Sequence, residues 1–132
     1  MKKIALITRN KIFAQSFEET MKSNPELRFG LFLLLNSEQA LLDAEVLEID
    51  IALIDAGLID VVDKKIKENE INPSFCEILH AKLPNVHILL LVSQDDKEKR
   101  KMAIEAKMKN VIDDFMFYDA SLKYLFAKLL SF

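Results

Sequence analysis

Short unbroken apolar runs alternate along this chain with segments in which apolar residues return every three or four positions. Lys3 to Thr8 (Lys-Ile-Ala-Leu-Ile-Thr), Arg28 to Leu35, Ile51 to Asp55 and Val86 to Ser93 are runs of the first kind. Continuous apolar stretches with β-branched members suit strands covered on both faces, and such strands belong to parallel sheets. A fifth, shorter strand is expected at Phe115 to Phe117. Between the strands the period changes. Ile12, Phe13, Phe17 and Met21 share one face of a helix over Lys11 to Ser23, which Asn24-Pro25 stops because proline biases its predecessor away from helical angles. Asn36, with Gln39 three residues on, resembles the start of a helix running to about Glu48. Ser74-Phe75-Cys76-Glu77 has the capping-box pattern and opens a helix that stops before Pro84. Asp95, with Glu98 three later, signals the next helix, and Leu122, Leu125, Phe126 and Leu129 mark the last. Five strands alternating with five helices predict an α/β fold, a doubly wound five-stranded parallel sheet in the order 2-1-3-4-5, built as a three-layer sandwich.

Composition narrows the picture without changing it. A chain of 132 residues is expected to form one domain spanning 1–132, since that length can bury roughly two thirds of its unfolded surface. A net charge of −3 favours neither nucleic acid nor an anionic membrane as partner. With no signal peptide and no apolar run near the length of a membrane span, the chain reads as cytoplasmic and unanchored. Two glycines exclude a glycine-rich phosphate cradle, and the single cysteine, Cys76, reads as core packing. His80 and His87 stand too far from other ligands to suggest a metal. The basic segment with Lys97, Lys99, Arg100, Lys101, Lys107 and Lys109 also carries Asp95, Asp96, Glu98 and Glu105, the mixture of a solvated helix face. The stretch from Ala56 to Pro73 is the longest without clear periodicity, and is expected to lie over or beside the Asp55 rim.

In open α/β sheets ligands bind beyond the carboxyl ends of the strands. Polar residues gather at those ends here: Thr8-Arg9-Asn10 after the first strand, Asp55 after the third, Ser93 after the fourth and Tyr118-Asp119 after the fifth. This arrangement resembles the receiver domain of two-component response regulators, the CheY-like, flavodoxin-like family, over nearly the whole chain. Ile51-Ala-Leu-Ile-Asp55 is similar to the family's strand ending in the phosphorylated aspartate, and Asp113-Asp114-Phe115-Met116 with Ser121-Leu122 is similar to its last strand and helix. The resemblance puts Asp55 at the phospho-acceptor position, Ser93 at the switch hydroxyl and Phe115 at the switch aromatic. The acidic pair that holds magnesium in the family falls on Thr8 and Arg9, with Asn10 matching a common asparagine after it. The family's lysine falls on Tyr118, and its following proline on Asp119.

Those departures imply a degenerate pseudo-receiver subtype. Phosphoryl transfer onto a carboxylate needs cations to offset the oxygens' charge, and magnesium wants carboxylate ligands. The expectation is a non-enzymatic signalling module without a metal or other cofactor, in which Arg9 turns inward and pairs with Asp55 in place of the metal. It would bind a protein partner, or itself, through the face of the fourth helix, fifth strand and fifth helix that the family uses for dimerisation and output. A histidine kinase and a C-terminal effector domain are the other partners the resemblance implies. The alternative is a working receiver phosphorylated at Asp55 by a histidine kinase. A flavodoxin-like or hydrolase enzyme lacks support, because no second acid, nucleophile elbow or glycine-rich turn accompanies Asp55.

Overall fold

Five apolar segments form the sheet that their pattern predicts. The computed structural model describes residues 2–26, 29–34, 43, 45–56, 75–118 and 120–132. Its strands are β1 (Lys2–Ile7), β2 (Phe29–Leu34), β3 (Ile51–Asp55), β4 (His87–Val92) and β5 (Asp114–Phe117). All four pairings are parallel, and the order is β2-β1-β3-β4-β5. The fully described helices are α1 (Lys11–Ser23), α2 (Phe75–Lys82), α3 (Lys97–Met108) and α4 (Leu122–Leu130). Residues 45–47 are helical too and agree with the end of the helix expected to reach Glu48. The expected start of that helix at Asn36, and nearly all of the 56–73 connection, lie outside the described residues. Among the described residues no helix is long and apolar enough to cross a membrane.

Strand alternation sends successive side chains to opposite faces. Ile4, Leu6, Ile51, Leu53, Leu89, Leu91 and Met116 face one way and are covered by Phe17 of α1 and by Leu125, Phe126 and Leu129 of α4. Ala5, Ile7, Ala52, Ile54, Ile88, Leu90 and Val92 face the other way, against Cys76 and Leu79 of α2 and Ala103 of α3. The Phe17 and Phe126 rings stack with centroids 4.7 Å apart, joining α1 to α4. Cys76 is core, as its setting in the sequence suggests, and burial first, then the nearby Glu77 charge, pushes its thiol up to about 12.

Side-chain caps set the helix starts. Asn10 Oδ1 accepts from Phe13 N at 3.0 Å, and Ser121 Oγ accepts from Tyr124 N at 3.2 Å. For α3 the cap is one residue later than the Asp95 to Glu98 spacing suggests. Asp96, not Asp95, accepts from Lys99 N at 3.0 Å. Two adjacent acids offered equivalent caps in sequence, and the length of the turn after β4 selects the second.

One polar clamp ties three elements together. Asp114, on β5, pairs with Lys107 of α3 at 3.0 Å and with Lys128 of α4. Burial works to raise the Asp114 carboxyl, but hydrogen bonds from Lys128, Lys107 and Phe115 N outweigh it and hold the group below its ordinary 3.8. A carboxyl lowered on folding contributes stability above its unfolded pKa, and that contribution is lost as pH falls through the folded value. Asp114→Asn is therefore expected to cost about 1 kcal/mol near neutrality, since both lysines remain partly solvated. The cost should shrink toward zero once pH drops well below the ordinary aspartate range. Urea unfolding at the two pH values measures it, and an equal loss at both would contradict the clamp.

Candidate functional site

The register of the central strands decides which polar side chains meet. β1 and β3 run from the rung Ile4 and Ile51 to the rung Ile7 and Ile54, so the next residues, Thr8 and Asp55, lie side by side at the carboxyl end of the sheet. Both continue the face that carries Ile4, Leu6, Ile51 and Leu53. Thr8 is buried, 3% exposed, and its hydroxyl donates to Asp55 Oδ2 at 3.2 Å. Thr8 Oγ1 in turn accepts from Asn10 N at 3.0 Å, which closes the turn into α1. Asp55 itself is half-buried at the rim.

Tyr118 comes to the same place from the end of β5. Its amide bonds to Val92 O at 3.1 Å, and its ring meets Phe13 of α1 edge-on at 5.2 Å. The hydroxyl is enclosed and makes no well-aligned hydrogen bond among the described residues. It is close enough to the site for its acidity to respond. Burial and then the Asp55 carboxylate push the phenol well above its ordinary value, and the Thr8 hydroxyl works the other way. The neutral phenol is thus the form present at physiological pH.

Arg9 does not take the place expected for it. It is exposed, and it makes no ion pair among the described residues. The reason is positional: along an extended strand Thr8 points to the Asp55 side and its successor points away. The chain then turns into α1, which carries the guanidinium outward. Ser93 sits beyond the rung that pairs Asp55 with Leu91, exposed at the same end of the sheet, with no side-chain hydrogen bond among the described residues. Phe115 is half-buried, packs on the core beneath α3 and meets Phe117 edge-on at 6.1 Å. Asp119 lies outside the described residues.

Lys99 is a further correction. The charge pattern assigns it to a solvated face, yet it is 6% exposed, and its Nζ donates to Ala56 O at 2.8 Å, immediately after Asp55. A signal for this existed. Ala103 and Ala106 mark the inner face of α3, and four or seven residues back from them is Lys99.

A magnesium ion, which receivers of this shape hold, does not fit the described donors. Hard cations of that size require several oxygen ligands, mainly carboxylate and water. Thr8 offers one hydroxyl already committed to Asp55 and Asn10, and Arg9 offers a positive charge. Among the described residues no group of three His, Cys, Asp or Glu side chains converges.

The fold itself is that of receiver domains. The chain superposes on a CheY-like response regulator receiver domain from Methanospirillum hungatei JF-1 with TM-score 0.74, at 13% identity, covering 99% of this chain and 92% of that one. It superposes on the receiver domain of a Francisella response regulator with TM-score 0.71, at 18% identity, covering 99% and 95%. A response regulator from Burkholderia pseudomallei, solved with a phosphorylated aspartic acid, a calcium ion and citrate, matches with TM-score 0.67 at 18% identity, covering 96% and 65%. No protein-family model and no curated protein matches the chain by sequence.

The geometry ranks the two residues after β1. Thr8→Val keeps the shape and removes the hydroxyl, leaving Asn10 N and Asp55 Oδ2 short of a partner, and is expected to cost about 1–3 kcal/mol. Thr8→Ser should recover most of it. Arg9→Ala should stay within about 0.5 kcal/mol, as for any exposed residue without partners. Denaturant midpoints with unchanged slopes check the order, and an Arg9→Ala loss as large as that of Thr8→Val would restore the ion pair.

Proposed function

We propose that this chain is an atypical receiver of the response-regulator kind, a pseudo-receiver that signals by binding a protein partner without magnesium-dependent phosphorylation. The observation that carries the proposal is the Thr8 hydroxyl on Asp55 Oδ2 at 3.2 Å, where the family pattern has an acid that would help hold the metal. A phospho-acceptor must present an oxygen to an electrophilic phosphorus with cations close by to take up charge. Here one oxygen is hydrogen-bonded, the residue at the second acidic position is an outward arginine, and the residue at the lysine position is a neutral tyrosine.

The surface proposed for the partner, or for a second copy, is the face of α3, β5 and α4. Ile104 and Met108 on α3 and Tyr124 on α4 are large apolar side chains left exposed there, with lysines around them. The Asp114 pairs with Lys107 and Lys128 hold the two helices at fixed positions beside β5. Apolar residues rimmed by charge are the usual composition of an interaction surface. A histidine kinase or an attached effector domain are the partner classes that the resemblance to response regulators suggests.

Intact-mass measurement after incubation with acetyl phosphate and magnesium tests the proposal. The expected result is an unchanged mass, with Asp55→Asn indistinguishable from the parent. An adduct of one phosphoryl group that Asp55→Asn abolishes would replace this reading with a working phospho-acceptor receiver.

A further inference from the structure

Lys99 is the one buried ammonium among the described lysines, and nothing in the family resemblance assigns it a role. Its backbone is fixed by the Asp96 cap at 3.0 Å, and its side chain runs inward on the same face as Ala103, which is fully buried. The head group ends on the carbonyl of Ala56, a residue 1% exposed that directly follows Asp55. Taking an ammonium out of water is costly unless hydrogen bonds hold it, and a methionine would fill the same space without that cost. What the ammonium adds is directional: it favours a single placement of α3 relative to the end of β3. Buried charges are best attested in such a registering role.

We propose that Lys99 is the residue that couples the Asp55 rim to the α3 surface. A displacement of the backbone after Asp55 moves the Ala56 carbonyl, the carbonyl carries the Lys99 ammonium with it, and α3 shifts, moving the exposed Ile104 and Met108. The inference rests on the pseudo-receiver reading of the rim and names how that rim is wired to its partner surface. No phosphoryl group takes part. The link runs from β3 to α3 directly, whereas the residue at the family's lysine position, Tyr118, approaches from β5.

A double-mutant cycle read by amide chemical shifts tests it, because coupling between sites is what such a cycle isolates. In the parent, Asp55→Asn should move the amides of Ala103, Ile104 and Met108 as well as those of Thr8 and Ala56. In a Lys99→Met background the same substitution should move Thr8 and Ala56 and leave the α3 amides in place. Lys99→Met alone should shift the Ala56 carbonyl carbon and lower hydrogen-exchange protection at Ala103 about tenfold, as for loss of one charged hydrogen bond. Equal α3 shifts in both backgrounds, or none in the parent, would overturn the proposal. Should Lys99→Met fail to fold, the parent still decides. The parent response to Asp55→Asn stands alone as a test, and the Lys99 ammonium should exchange its protons slowly enough to be seen by nitrogen-detected spectra. The cycle uses no phosphodonor, so an adduct on Asp55 would remove the pseudo-receiver reading without touching this result, and absent coupling would leave that reading intact.

Discussion

The parallel pairing of β1 with β3 is the constraint on which the rest depends. Its register makes Thr8 the neighbour of Asp55. From that one step follow the Thr8 hydroxyl on Asp55 Oδ2, the turn closed by Asn10 N on Thr8 Oγ1, and the start of α1. It also follows that Arg9 points away. The sheet is buried on both faces, so a slip of one residue would send Ile4 and Leu6 to the wrong layer and is strongly disfavoured. The chemistry of the rim is therefore fixed by hydrophobic packing well below it.

Two neutral hydroxyl-bearing side chains come to Asp55 among the described residues. A threonine hydroxyl and an enclosed tyrosine phenol face the carboxylate. The buried Lys99 ammonium is directed at the Ala56 carbonyl. On the proposed pseudo-receiver reading, this environment offers little to the charge that builds on a transferring phosphoryl group. Signalling through such a domain would depend on a mechanical link between rim and surface, and among the described residues the Lys99 to Ala56 bond is one that starts directly after Asp55.

Much of the fold was legible in the sequence because it is written in local periods. The unbroken apolar runs gave the strands to within a residue or two, and Pro25 and Pro84 marked where helices stop. Asp55 was legible for the same reason, as the abrupt polar end of a buried run. What could not be read were choices made by tertiary geometry between chemically similar candidates. Arg9 is the stronger partner for a carboxylate on charge alone, yet side-chain alternation gives the place to Thr8. Asp95 and Asp96 are equal as caps until the length of the turn decides. Lys99 sits in a run of charges that looks solvated, and only its spacing from Ala103 betrays an inward direction. Competition of this kind is settled by distances, which periodicity does not contain.

The central claim is that the Thr8 and Arg9 positions, filled as they are, leave Asp55 without a metal. Calorimetric titration of magnesium into the parent and into a Thr8→Asp, Arg9→Asp double variant tests it most directly. The account predicts no saturable heat for the parent and a single site of roughly millimolar affinity or better, equivalent to about 4 kcal/mol of binding, in the variant. A saturable site in the parent that Asp55→Asn removes would contradict it.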